Sequence, residues 1–326
     1  MTEIKVPNLN EIREARELLG DKILHTPVWE WKGQEKDNLF GEGTELFIKL
    51  ETLQYGGCFK LRGALLNMMA LKPEELKKGV TAISAGNHAI AVAYAAKLLG
   101  IHAKVVIPKT ANPFRVQRCQ SYGAEIIYCD TVMDGFERVH EIAKSESRAF
   151  IHPFEGYQTA LGTATLGLEF ADQIEKLDAV VIAIGGGGLC AGVSNAFRQA
   201  QPSCKIYGVE PEGADSMNKS FIANRPMAIN KIQTIADSLG APKAEPYSFQ
   251  LCKKNVEKLV TVSDQELILA MKIIAEELKM MVEPACAAGI AACLNPLKDE
   301  LYGKRVGIVF CGSNMDINTF CGYVNN

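Results

Sequence analysis

The feature that most constrains this chain is a repeated alternation of short apolar segments with helix-forming ones. A strand-like run from Val80 to Ser84 precedes the helical stretch AIAVAYAAKLLG, then AKVVIP, then a helical segment from Pro113 to Tyr122, and AEIIYC and RAFIHP continue the series. A second series begins at Asp178 with DAVVIAIGGGG, passes through KIYGVE and closes with RVGIVFCG. Strands of five or six residues that are apolar throughout and separated by helices predict parallel sheets covered on both faces. Within the second series, Ser263 and Glu266 have capping-box spacing at the start of an amphipathic helix, LILAMKIIAEELKMM. Near the N-terminus, Asn10 is placed to cap, and Gly20 to end, a surface helix carrying Ile12, Ala15, Leu18 and Leu19. No Pro/Gly/Ser-rich linker divides the two series, so two α/β lobes sharing a long contact are expected. In open parallel sheets ligands bind beyond the carboxyl ends of the strands, which directs attention to the loops after Ser84, Ile184 and Phe310.

Composition narrows the function classes. The chain has 326 residues, 48% apolar and 22% charged, too long for one typical domain and too ordinary for disorder. Its 35 basic and 38 acidic residues give a net charge of -3, no field to attract nucleic acid or an anionic membrane. The start, MTEIKVPNLNEIREARELLG, lacks the basic and apolar regions of a signal peptide. No apolar run approaches the roughly 18 to 20 residues of a membrane span. A soluble, cytoplasmic protein is expected. The ten cysteines never stand at CxxC spacing, which points to reduced, buried thiols rather than a zinc or redox motif.

Three constellations can carry chemistry. Gly185, Gly186, Gly187 and Gly188 follow a strand and open a helical sequence, so bare backbone and helix N-terminal amides could cradle a phosphate. The segment has neither the lysine and hydroxyl of a P-loop nor GxGxxG, and such a run also occurs as a plain tight turn. The second, Gly57-Cys58-Phe59-Lys60-Leu61-Arg62-Gly63-Ala64, holds a lysine that read alone is a surface charge. Beside a phosphate cradle it could instead form a Schiff base with a phosphorylated aldehyde, burial lowering the amine's pKa. The third is Ile83-Ser84-Ala85-Gly86-Asn87-His88 at a strand-to-helix junction. Its amides and the Ser84 hydroxyl could bind a carboxylate and Asn87 a phenolic oxygen, or Ser and Asn could simply cap the helix. His88 reads as structural more readily than catalytic.

Taken in order, Lys60 in CFKLRGA, Asn87 in SAGNH, the tetraglycine, Glu283 in EPACAAG and Cys311 in FCGSN resemble the fold-type II pyridoxal-phosphate enzymes, over nearly the whole chain. The chain is most similar to the serine/threonine dehydratases, the family of threonine ammonia-lyase and serine racemase. The resemblance implies an α/β, tryptophan synthase beta-like fold of two mostly parallel sheets flanked by helices. It also implies a large cofactor-binding domain over 1–54 and 155–326, and a small domain over 55–154 that closes on the site. It implies that Lys60 carries the cofactor, that Phe59 packs beside it and that Asn87 meets the 3-oxygen. Gly185, Gly186, Gly187, Gly188 and Leu189 would hold the phosphate. Glu283 would lie near the ring, and the Cys311 thiol would face the pyridine nitrogen, making the ring a weaker electron sink than a carboxylate would. Ser84, Ala85, Gly86, Asn87 and His88 would bind the substrate carboxylate, and Phe154 would face its β-substituent. The implied reaction is β-elimination from L-threonine or L-serine, giving 2-oxobutyrate or pyruvate and ammonia, in a homodimer.

Departures from the family pattern shape these expectations. Cys58 replaces a serine, a swap of similar size. Ala85 stands where the family's serine racemases carry the serine that protonates the opposite face, which favours elimination over racemisation. Glu210 and the Ala214 carbonyl match a divalent-cation site, for Mg or Ca, but Ser216 replaces its carboxylate and Asp215 would have to compensate. The remaining alternatives are an amino-acid racemase, a hydroxyaspartate dehydratase, a β-replacement enzyme, whose loop usually has Thr where His88 stands, and a non-catalytic pyridoxal-phosphate or amino-acid binder. Two lobes account for the chain's length, so no C-terminal effector domain and no isoleucine inhibition are expected. Cys58 beside Lys60 and Cys311 at the ring make thiol-directed inactivation a further expectation.

Overall fold

The computed structural model describes residues 4–325 as two sheets with helices on their faces. Ten strands contribute: β1 (Val28–Trp31), β2 (Glu45–Leu50), β3 (Val80–Ile83), β4 (Ala103–Pro108), β5 (Glu125–Cys129), β6 (Ala149–Phe150), β7 (Ala179–Ala183), β8 (Lys205–Pro211), β9 (Lys258–Val262) and β10 (Arg305–Phe310). The larger sheet runs β1-β2-β10-β7-β8-β9 and the smaller β5-β4-β3-β6. Every pairing is parallel except the edge hairpin of β1 with β2. The inner strands are apolar because both faces are covered: β3 and β7 are buried at every position.

All strands of the smaller sheet come from within 55–154, and those of the larger sheet from the flanking segments. The apolar packing does not divide at those positions. The smaller sheet shares a core with Ile12, Ala15 and Leu19 of the N-terminal helix and with Leu161, Ala164 and Leu168 of helix Tyr157–Gln173. Helix Tyr157–Gln173 lies against both helix Lys60–Met69 and helix Gly188–Ala200, so it ties together the two elements that carry the lysine and the glycine run. The crossing is close because a Cβ on Gly162 would sit 2.5 Å from the Gly63 Cα.

Local expectations hold with instructive exceptions. The Ser263 and Glu266 capping box forms, on helix Asp264–Leu278. The N-terminal helix, Leu9–Leu19, is capped by Asn8 rather than Asn10: the Asn8 side chain accepts from the Glu11 amide and Glu11 reaches back to the Asn8 amide. That reciprocal pair needs an acidic residue three positions on, which Asn8 has and Asn10 lacks. Helix Asn87–Leu99 begins at Asn87, earlier than its apolar stretch suggests, and neither Ser nor Asn caps it; the N-cap is Gly86.

Candidate active site

The lysine motif is pinned to the end of β10. The Phe59 amide donates to the Cys311 carbonyl (3.0 Å), and the Ser313 amide to the Gly57 carbonyl (3.0 Å). Gly57 has φ +74°, and a Cβ there would lie 2.7 Å from Asn314 Oδ1, so glycine is required for this approach. One turn into the helix, the fully buried Arg62 bridges Glu51 (2.8 Å) and Glu169 (3.1 Å), and Lys49 pairs with the same Glu169 (2.5 Å). Each buried charge has a partner of opposite sign, the condition under which such a group is tolerated in a core. This network holds helix Lys60–Met69 on helix Tyr157–Gln173 and so sets where Lys60 points. Lys60 Nζ donates to the Pro153 carbonyl (2.7 Å) and lies 5.0 Å from the Phe59 ring centroid. Burial drives the Lys60 pKa down, against an opposing pull from Cys58, Cys311 and Glu283.

The carboxyl ends of both sheets open onto one cavity of about 170 Å³. Residues 59–60, 84–88 and 185–189 line it together with Phe154, Glu283 and Cys311, so every residue expected to touch cofactor or substrate borders one space. The glycine run is shaped by its neighbours. A Cβ would fall 2.9 Å from the Leu239 backbone at Gly185, 2.2 Å from the Phe154 ring at Gly186, and 2.6 Å from the Phe154 carbonyl at Gly188. Gly187, at φ +95°, occupies the left-handed region that other residues rarely adopt. The amides of Gly185, Gly186 and Gly187 donate to no acceptor among the described residues, and helix Gly188–Ala200 begins without a side-chain cap. Open amides at a helix N-terminus form an anion site. Phe154 lies over Gly186, with its ring edge-on to His152 at 4.7 Å.

On the other sheet the 84–88 loop is rich in side chains. Ser84 Oγ accepts from the Gly86 amide (3.0 Å). Asn87 Nδ2 donates to Glu283 Oε1 (2.5 Å) and Ser238 Oγ (3.3 Å), while its Oδ1 accepts from Asn314 Nδ2 (2.7 Å). His88 is buried and its Nε2 donates to the Ile151 carbonyl (2.8 Å). Burial first, and the Lys60 charge second, push its pKa down to about 3, so the ring is neutral and structural. Glu283 is buried against Asn87 and Arg115, and burial raises its pKa while Arg115 lowers it.

Sequence reasoning passed over Arg115, Asp237, Ser238 and Asn314. Arg115 borders the cavity and binds Asp237 through both terminal nitrogens (2.5 and 3.2 Å), Glu283 (3.4 Å) and the Asn314 carbonyl (2.8 Å). No spacing marks it, because its partners lie more than a hundred residues away. Asn314 could have been noticed, standing three residues after Cys311 in FCGSN.

Packing bears on two further expectations. Cys58 and Cys311 are both buried, Cys311 at the cavity wall; burial raises the Cys58 pKa to about 12, and hydrogen bonding with Cys286 together with burial raises that of Cys311. Thiols held protonated are poor nucleophiles, which argues against ready inactivation at these two; Cys321 is the exposed cysteine. The cation site is likewise not assembled. Both oxygens of Glu210 accept backbone amides, from Met217 (2.9 Å) and Asn218 (2.7 Å), and burial lifts its pKa to about 8. Asp215 is engaged by Lys219 (2.7 Å), and the Ser216 hydroxyl has no partner. Calcium takes six to eight oxygens and Mg needs a near-ideal octahedron, which these residues do not supply. No group of three or more His, Cys, Asp or Glu suited to a metal occurs among the described residues.

Comparison with known proteins agrees with this geometry. Residues 20–312 match the family described as pyridoxal-phosphate dependent enzyme. Phenylserine dehydratase of Ralstonia pickettii is 49% identical over 319 residues, covering 98% of this chain and 97% of that protein. L-threo-3-hydroxyaspartate ammonia-lyase of Saccharomyces cerevisiae is 35% identical over 98% of this chain and 97% of its own. Among solved structures, maize serine racemase superposes with a TM-score of 0.92 at 33% identity, over 98% of both chains.

Proposed function

The chain belongs to the pyridoxal-phosphate dependent enzymes, and from that premise we propose that it is a dehydratase of β-hydroxy-α-amino acids, releasing a 2-oxo acid and ammonia. The observation that carries this reading is the convergence on one cavity of a buried, pKa-lowered lysine amine, an amide-lined glycine loop without acceptors, and an enclosed thiol. Those groups suit the cofactor: Lys60 would be its point of attachment, the 185–189 loop would hold its phosphate, Phe59 would pack beside it, and Asn87 and Cys311 would face the ring. When bound, pyridoxal phosphate supplies an electron sink that lets an amino acid's α-proton leave.

The chain's own residues do the rest. The amides of the 84–88 loop, at the N-terminus of helix Asn87–Leu99, receive the substrate carboxylate and orient the Cα–H bond. Lys60, whose pKa burial lowers, takes the α-proton at Nζ. The β-hydroxyl departs as water, its added proton balancing the one taken from Cα, and hydrolysis of the resulting enamine consumes one water and gives the 2-oxo acid and ammonia. Ala85 offers no hydroxyl and His88 is neutral and committed to the Ile151 carbonyl, so neither of these two positions supplies a second acid to return a proton on the opposite face. That supports elimination over racemisation, although the fold is shared with a racemase. The two dehydratase-type relatives also agree on the β-hydroxyl while differing in the substituent beyond it, a phenyl in one and a carboxylate in the other. The Glu210 cation forms no part of the proposal.

Borohydride reduction of the holoenzyme should fix the cofactor on the peptide containing Lys60, and the enzyme should release ammonia from L-β-hydroxy amino acids. Lys60→Ala should lower turnover by at least about a thousandfold. A colourless protein, or activity independent of Lys60, would overturn this reading.

A further inference from the structure

The order of the smaller sheet decides which way a substrate side chain can point. The carboxylate loop follows β3, which lies between β4 and β6. The β6 flank is taken: the chain leaving it supplies the Pro153 carbonyl to Lys60 and lays Phe154 over the glycine loop. On the opposite flank β4 ends at Pro108, and β5 leads into helix Val132–Ser145, whose Val132 and Phe136 line the cavity.

That helix carries one apolar stripe. Val139 and Ile142 are buried with Ile83, Val106 and Cys129. Gly135 lets the helix press on the end of β3, since a Cβ there would lie 2.2 Å from Ile83 Cδ1. Phe136 and Val132, one turn apart on the same face, carry the stripe past the core into the cavity, where Phe136 is half-buried and Val132 is 40% exposed. The wall is all carbon, and covering it with a ring removes apolar surface from water that a methyl group would leave wet. Among the described residues lining the cavity no cation is left uncommitted for a distal carboxylate, Lys60 donating to the Pro153 carbonyl. Arg115 has its guanidinium engaged by Asp237, Glu283 and the Asn314 carbonyl, and His88 is neutral.

We propose that the wall of Pro108, Val132 and Phe136 receives an apolar β-substituent, an aryl ring before all, so that β-aryl-β-hydroxy-α-amino acids are the substrate class of this site. The proposal rests on the dehydratase reading above.

The test compares kcat/KM of the holoenzyme for threo-phenylserine, threonine and threo-3-hydroxyaspartate. Phenylserine should exceed threonine by about 10- to 100-fold, with hydroxyaspartate the poorest. Phe136→Ala should lower the phenylserine-to-threonine ratio about tenfold, chiefly through KM. Val132→Ala, at a half-exposed position where folding is not at risk, should move the ratio the same way by less. A binding measurement separates the wall from turnover: L-phenylalanine, which lacks the leaving hydroxyl, should bind the holoenzyme more tightly than L-alanine or L-aspartate, and Phe136→Ala should erase that advantage. Ammonia release with threonine or hydroxyaspartate preferred, or a ratio that neither variant moves, would overturn the assignment and leave the dehydratase reading intact. No ammonia from any of the three would overturn the dehydratase reading, and phenylalanine binding no better than alanine would then overturn the wall as well.

Discussion

Two loops in this molecule occupy equivalent places and are built in opposite ways. Each follows the carboxyl end of a parallel strand, each opens a helix, and each presents backbone amides to the shared cavity. The 185–188 loop has no side chains, and its shape is set by what crowds it: the Leu239 backbone, the Phe154 ring and the Phe154 carbonyl. The 84–88 loop is held by its side chains, through Ser84 to its own backbone, Asn87 to Glu283 and Asn314, and His88 to Ile151. Crowding makes a rigid mould suited to a group that stays, as the phosphate of the proposed cofactor site would. Hydrogen bonds that reach from the smaller sheet's loop to Glu283 and Asn314, on either side of β10 in the chain, suit a ligand that must enter and leave, because they can be exchanged singly.

The sharpest way to break that contrast is to put a methyl group in the mould. Gly188→Ala would drive a Cβ to 2.6 Å from the Phe154 carbonyl, a backbone atom that cannot swing aside. Cofactor affinity should fall by about a hundredfold or more, given that overpacking of this kind costs about 1–3 kcal/mol before any lost phosphate contact. Equilibrium titration of the apoprotein with pyridoxal phosphate measures it. An alanine variant that binds the cofactor normally would mean that the loop is not fixed by its neighbours.

Acid should separate the loops next, since the glycine loop contains nothing that titrates and the other contains His88. His88 has its folded pKa depressed to about 3 from 6.5, so its contribution to stability is present above pH 6.5 and is lost as pH falls toward 3. Each pH unit within that window is worth about 1.36 kcal/mol. Gln keeps a terminal N–H for the Ile151 carbonyl and cannot protonate. Between pH 7 and 5.5, His88→Gln should therefore lose about 1.3 kcal/mol less stability than the parent, measured by urea unfolding at each pH. Taking the difference between the two proteins removes the opposing contribution of Glu210, whose raised pKa favours the folded state as pH falls.

Most of the mould could be read from the sequence and much of the network could not, for a physical reason. Four glycines between an apolar strand and a helix invite the reading of a close backbone approach, and Lys60, Asn87 and Cys311 each sit in a short local motif. Arg115, Asp237 and Glu283 meet across 122 and 168 residues of chain, so nothing local signals their pairing. The same holds for Phe136: its spacing from Val132 and Val139 shows a helix stripe, but only the sheet order shows that the stripe runs out of the core into the cavity. Phe154 borders the cavity, as its place after a strand end suggests, and its ring also lies over Gly186, a contact that no local spacing signals.

The smallest effect should come from Ser84, and it tests whether the network loop is adjustable. Its hydroxyl accepts the Gly86 amide, and removing it with Ser84→Ala frees that amide without adding bulk. One neutral hydrogen bond contributes about 1 kcal/mol net, so loosening the loop should raise the KM for a β-hydroxy amino acid about fivefold. If the glycine loop and Lys60 hold the cofactor as proposed, it should bind as tightly as before. Steady-state kinetics beside a cofactor titration distinguishes the two. If Ser84→Ala weakened the cofactor as much as the substrate, the loops would be one mechanical unit, and the division between a crowded mould and an exchangeable network would fail.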